Sequence, residues 1–211
     1  MKRETSVEKK LRIRSKEELA LQAKGLIESK RIFESLGIPY FLGAGTLLGA
    51  YRNNDFIPWD WDVQAYFKYE DVENRGQALI DEFQKAGFVL VDSKLGKQSW
   101  KQVYQKYGTD YEYTSWYKKG KWRYRRAFKL PNRFFVNVDW IDFYEEEFPC
   151  VGPIEEYLEF NYGDWKTPKK EAIKTRYLNA KFYKYPFWIR VLRSKVLVLT
   201  SPLRKKFKKS K

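Results

Sequence analysis

A pair of acids in apolar company restricts this chain more than any other feature. Asp60 and Asp62 lie in the run Pro58-Trp59-Asp60-Trp61-Asp62-Val63. From Trp59 to Phe67 the residues alternate, with Asp60, Asp62 and Gln64 on one side and Trp61, Val63 and Ala65 on the other, which is the period of a strand. Carboxylates at i and i+2 share a strand face, their Cα atoms about 6.6 Å apart at the usual rise. Most Asp-x-Asp pairs belong to solvated edges or turns. Here the neighbours would bury both groups, and unpaired buried carboxylates are costly unless a cation joins them. Leaning together, they can share one Mg²⁺ (or Mn²⁺) at about 2.1 Å, or two ions about 3.5–4 Å apart.

The segment before this strand complements it. Gly43-Ala44-Gly45-Thr46-Leu47-Leu48-Gly49 is a glycine-punctuated turn that opens a short helix. Glycines let backbone N–H groups approach a phosphate, and a helix N-terminus adds a favourable dipole. Gly45 and Thr46 are therefore candidate nucleotide-binding residues, with the Thr46 hydroxyl as donor. Arg52 follows in the same helix, where it could neutralise charge on a transferred phosphoryl group. A later strand, Arg133 to Tyr144, carries Asp139 between Val138 and Trp140, and Asp142 beyond it. Asp139 is the candidate third metal ligand beside Asp60 and Asp62.

Composition removes rival chemistries. There is no His, so His general bases, Ser-His and Cys-His pairs and His-bound zinc are absent. The single cysteine, Cys150, rules out an internal disulfide and a cysteine-built metal site. Lys and Arg outnumber Asp and Glu, 42 − 27 = +15, a charge that attracts nucleotide phosphates, nucleic acid or an anionic bilayer face. Met1 to Arg14 is charged and lacks the apolar stretch of a signal peptide, and no apolar run approaches the roughly 20 residues of a spanning helix. The expected location is the cytoplasm, with peripheral contact at the inner membrane face.

Local signals predict the remaining elements. Ser15-Lys16-Glu17-Glu18 reads as a capping box, and Leu19, Ala23, Leu26, Lys30 and Phe33 recur at helical spacing until Leu36-Gly37. A short strand, Ile38 to Leu42, follows. Val72, Leu79, Phe83 and Ala86 mark a second helix, stopped at Gly87. Phe88 to Tyr144, rich in Tyr, Trp, Val and Phe, reads as several antiparallel strands, and Pro153 to Asn161 as a helix with proline in its first turn. The expected fold is α+β, a mixed sheet flanked by helices. The expected organisation is a charged segment 1–14, a catalytic domain 15–181 and a basic amphipathic tail 182–211.

Two blocks carry a resemblance to a known family. Phe41-Leu42-Gly43-Ala44-Gly45-Thr46-Leu47-Leu48-Gly49-Ala50-Tyr51-Arg52 with Phe56-Ile57-Pro58-Trp59-Asp60-Trp61-Asp62-Val63 resembles the LicD signature. Asn161-Tyr162-Gly163-Asp164-Trp165 with Thr167-Pro168 is similar to that family's C-terminal element. The resemblance covers roughly residues 15–175 and implies a nucleotidyltransferase-like fold and Mg²⁺ held by Asp60, Asp62 and Asp139. It also implies a CDP-activated donor, such as CDP-choline, CDP-ribitol or CDP-glycerol. The acceptor it implies is a sugar of a surface glycan (lipopolysaccharide, teichoic acid or capsule) or of its lipid-linked precursor. Family members carry an acid where this chain has Gln64.

With no His, the acceptor hydroxyl would lose its proton to Asp139 or Asp142, or to a metal-lowered pKa. Two other readings stand beside this one. A nucleotidyltransferase would move a whole NMP to a small molecule with the same carboxylates and release pyrophosphate instead of CMP. A basic nucleic-acid-binding module fits the charge and the aromatic stretch from Lys97 to Arg126, but clustered acids repel a phosphate backbone, so no nucleic-acid partner is expected.

Overall fold

The computed structural model describes residues 13–126 and 128–168. The tail 182–211, the domain end near Lys181 and most of segment 1–14 lie outside those residues. Helix α1 spans Lys16–Ser35. Its capping box forms as expected: the Ser15 hydroxyl accepts from the Glu18 amide at 3.3 Å, and the Glu18 carboxylate accepts from the Ser15 amide at 2.8 Å. The helix stops at Gly37, whose φ of 61° suits a residue without Cβ.

Nine strands build one sheet among the described residues. They are β1 (Phe41–Leu42), β2 (Asp62–Lys68), β3 (Val89–Gly96), β4 (Ser99–Lys106), β5 (Thr109–Lys119), β6 (Trp122–Arg125), β7 (Phe128–Pro131), β8 (Val138–Phe143) and β9 (Glu146–Val151). The main order is β3-β4-β5-β2-β1-β9-β8, with β6 and β7 continuing from β5 as a hairpin. Helix α2 (Ala44–Asn53) links β1 to β2; α3 (Tyr69–Val72) and α4 (Gly76–Lys85) lead towards β3; α5 (Ile154–Tyr162) follows β9.

Strands β1 and β2 pair antiparallel, whereas β2 with β5 and β1 with β9 are parallel. Within residues 88–144 the strand pairs are antiparallel, as expected; each parallel pair involves a strand outside that segment and makes the sheet mixed. A parallel partner needs a crossover, which the two helices and the β3–β4 hairpin supply here. The segment read as one helix from Val72 to Ala86 is two, divided before Gly76.

One sheet face is dry. Val63, Ala65 and Phe67 of β2 are fully buried on it. Phe33 of α1 packs there against Phe67, Tyr113 and Phe83, with ring centroids 5.2, 4.9 and 5.6 Å apart. The alternate residues of β2, Asp62 and Gln64, project from the other face and are only partly covered. No helix among the described residues is long and apolar enough to cross a membrane.

Candidate active site

The acids meet the glycine turn at the N-terminus of α2. Gly43 precedes the helix as its N-cap and supplies no side-chain cap; a side chain there would strike the Tyr66 ring. Instead the Ala44 amide donates to the Tyr157 hydroxyl at 2.9 Å, and that hydroxyl lies 3.4 Å from the Tyr66 hydroxyl. Thr46 is buried, and its hydroxyl accepts from the Gln64 amide at 2.8 Å. That bond fastens the helix start to the acid-bearing strand. Thr46 thus holds the turn in place through a lone pair, and its own O–H remains able to donate.

Asp60 lies outside β2. Its amide closes a turn on the Ile57 carbonyl at 2.8 Å, and the strand begins two residues later. The turn still delivers the acid to the same place, because the Asp60 carboxylate rests on Gly45, where any side chain would collide with it. Gly45, Thr46, Asp60 and Asp62 are therefore brought together.

Asp139 and Asp142 are not. Leu42 is the register partner of Ala65 on one side and Cys150 on the other, and Cys150 is the partner of Asp139. Side chains along one row share a face, so Asp139 belongs to the face of Ala65, opposite to Asp62 and Gln64. Its carboxylate accepts from the Ile154 amide at 2.8 Å at the start of α5, and it packs close to Gly152. Asp139 caps a helix. Asp142 is exposed on the edge strand β8 beside Glu147.

Arg52 also has another task. Its guanidinium donates to the Trp165 carbonyl at 3.2 Å, while the Trp165 ring lies 5.6 Å from that of Tyr51. The Tyr162–Trp165 block is thereby tied to α2, and Gly163, at φ 65°, ends α5 as a positive-φ cap. The aromatic stretch 97–126 is mainly core: Tyr104 and Tyr113 are fully buried and Trp116 nearly so.

Two acids escaped sequence reading. Strand β5 runs parallel beside β2 with Asp110 opposite Asp62 and Glu112 opposite Gln64. Asp110 accepts from Gln105 at 2.9 Å. Glu112 is held by Arg125 and Lys101, each at 3.1 Å. Burial raises its carboxyl pKa, but the two cations outweigh burial and hold it below the usual carboxylate range. No short motif marks these residues, because their place is set by pairing with a strand far away in sequence.

The face suits Mg²⁺ in one manner. Its donors are all oxygen, and Asp62 and Asp110 are neighbouring like charges, an arrangement a cation relieves. The described residues contain no group of three acids placed to enclose a metal. Mg²⁺ needs no such cage, since it commonly takes one or two carboxylates and completes its shell with water and substrate phosphate. Asp60 and Asp62 meet that requirement without Asp139.

A mixed sheet flanked by helices, with acids on one face and a glycine-rich helix start beside them, defines a nucleotidyltransferase-type domain. The chain belongs to the LicD family: residues 37–186 match the model described as LicD/FKTN/FKRP, nucleotidyltransferase domain. It is 31% identical to human ribitol-5-phosphate transferase FKTN over 167 residues, 74% of this chain and 34% of that protein. It is 42% identical to mouse ribitol 5-phosphate transferase FKRP over 62 residues, 28% of this chain and 13% of that protein. Over 40 residues it is 45% identical to the lipopolysaccharide cholinephosphotransferase LicD of Haemophilus influenzae, 19% of this chain and 15% of that protein. The chain spans about a third or less of the length of these relatives. Among solved structures, antibiotic-resistance factor ANT(2″)-Ia aligns with a TM-score of 0.49 and 13% identity, covering 90% of this chain and 95% of that one.

Proposed function

We propose that the chain is a Mg²⁺-dependent phosphotransferase, moving a phospho-alcohol from a CDP-activated donor to a sugar hydroxyl of a glycan or lipid-linked glycan. One observation carries this reading: the Thr46–Gln64 bond locks a glycine-rich helix start against the strand bearing Asp62, with Asp60 resting on Gly45. The names of the relatives, transferases of ribitol phosphate and cholinephosphate, support the class of group transferred.

Asp60 and Asp62 would hold the ion. When bound, it supplies Lewis-acid neutralisation of the donor's phosphate oxygens. The N-terminus of α2 beside those acids would orient the phosphate towards them, and the dipole of the helix favours the negative charge. Asp110, beside Asp62 and half-exposed, takes the proton from the acceptor hydroxyl in place of the distant Asp139 and Asp142. Positioning and charge neutralisation supply most of the acceleration, as in other phosphoryl transfers.

A donor panel of CDP-choline, CDP-ribitol, CDP-glycerol and CDP-ethanolamine, followed by CMP release with Mg²⁺ and with EDTA, tests the proposal. The expected result is Mg²⁺-dependent CMP release with one donor, abolished in a folded Asp62→Asn variant. Asp110→Asn should slow turnover by about 10²–10⁴-fold, the usual worth of a general base. Full turnover by Asp62→Asn would dispose of the acid site. Release of pyrophosphate from a nucleoside triphosphate, rather than CMP, would make the enzyme a nucleotidyltransferase.

A further inference from the structure

The end of β5 and the β6–β7 hairpin carry cations without acids. Between Glu112 and Asp139 the sequence has eight Lys and Arg and no Asp or Glu. Three of the eight are matched by acids from elsewhere: Arg123 by Glu70, Arg125 by Glu112 and Arg133 by Glu156. Lys118, Lys119, Lys121 and Arg126 stand exposed.

Register sorts this region into two sides. Lys119 is the partner of Trp122 and Tyr117 of Tyr124, while Trp122 and Tyr124 are in turn the partners of Pro131 and Lys129. These six side chains share one side, and each is exposed or half-exposed. Arg123 and Leu130, partners on the other side, are buried. The dry side faces inward, and the rings and lysines face outward.

A groove of about 490 Å³ opens beside Trp122, with Pro131, Val136, Lys121 and Arg133 among its walls. Val136 is 64% exposed there. Apolar and cationic walls together suit an amphiphile, whose phosphates meet the cations while its apolar part covers Val136.

The rings separate one anionic partner from another. Nucleic-acid bases stack on open aromatic faces. Here Tyr117 and Tyr124 stack on each other with centroids 5.6 Å apart, and the Lys129 ammonium lies 4.3 Å over the Trp122 ring. Each ring therefore has a face already covered. At a bilayer boundary Tyr and Trp act through one apolar and one wet end, which this arrangement leaves available.

We infer that the outer side of this hairpin, with the groove beside it, docks on an anionic lipid bilayer. The inference does not rest on the transfer reading above, although a lipid-linked acceptor would be met at such a surface. The test uses the full chain with one environment-sensitive fluorophore attached through Val136→Cys; Cys150 is fully buried and does not compete for the label. The control is the same label at Val89→Cys, an equally exposed position in register with Gln105 and Asp110, at the opposite end of β5 from Lys119.

Vesicles of phosphatidylcholine with about one-third phosphatidylglycerol should shift the label at position 136 to the blue, less so at high salt, and leave the label at 89 unmoved. Phosphatidylcholine alone should shift neither. Lys119→Gln combined with Lys121→Gln should raise the lipid needed at least about tenfold, each lysine near an anionic leaflet being worth about fivefold. Should the label disturb folding, flotation of the unlabelled wild type and double variant makes the same comparison. Vesicle binding that leaves position 136 unmoved, or equal binding by the double variant, would overturn the surface. An equal shift with single-stranded RNA would make it a nucleic-acid surface instead. No outcome depends on turnover, so the surface and the proposed reaction stand or fall separately.

Discussion

Gly45 shows how much one hydrogen atom in place of a side chain can decide. In an exposed helix, alanine for glycine would stabilise by about 1 kcal/mol. At position 45 the new methyl would meet the Asp60 carboxylate, the end of a side chain that can swing away. The two effects nearly cancel in stability, but the acid leaves its place. Gly45→Ala should therefore melt within a few degrees of the wild type while losing at least about tenfold in turnover, since small displacements at a reacting centre are costly; unchanged turnover would show that the position of Asp60 is immaterial. Glu112 makes a pH-dependent contribution instead. Its folded-state pKa is lowered, so its stabilisation is complete above the unfolded value of about 4.3 and is lost as pH falls through the lower folded value. Glu112→Gln should cost about 2 kcal/mol in urea denaturation at pH 7, a charge-assisted pair removed, and the gap from wild type should close towards pH 3. A gap independent of pH would contradict the assignment.

Among the elements, α5 bears directly on the helix start opposite it. Helix α2 has no side-chain cap, and the Tyr157 hydroxyl serves its first amide from across the sheet. Tyr157→Phe removes a buried acceptor and leaves that amide unsatisfied, a loss of about 1–3 kcal/mol. The melting temperature should fall by about 2–12 °C, at roughly 2–4 °C per kcal/mol for a chain of this size, and turnover should fall with it; a full-strength variant would detach α5 from the site. The same contacts explain what could be read in advance. The capping box of α1 and the proline start of α5 were legible because cap and helical period are local signals. The glycine turn and Asp60-Trp61-Asp62 were legible for the same reason, although the turn at Ile57 keeps Asp60 out of the strand. Asp139 was misplaced because alternation tells that neighbours face opposite ways, never which way. The face of a strand is settled by its partner, here Cys150 in β9. Asp110 and Glu112 were invisible for the same cause.

At the scale of the molecule, the chain's one thiol lies inside the sheet. Cys150 is fully buried on β9, and its Sγ lies 3.3 Å from the Asp139 carbonyl. Burial, with Asp139 adding to it, pushes its pKa up to about 12. Alkylation at neutral pH needs the thiolate, so the folded protein should resist iodoacetamide. Labelling should rise with urea along the same curve as the loss of circular dichroism. Labelling that precedes it would show β9 opening apart from the rest of the sheet.

The parallel union of β2 with β5 has a bearing on how the chain is born. Its halves are divided by two helices and a hairpin, so they meet only after a long loop closes, a slow event compared with neighbouring contacts. A nascent polypeptide emerging from the ribosome would finish its glycine turn and first acids well before Asp110 arrives. The acid-bearing face of the sheet is thus incomplete until that late crossover closes.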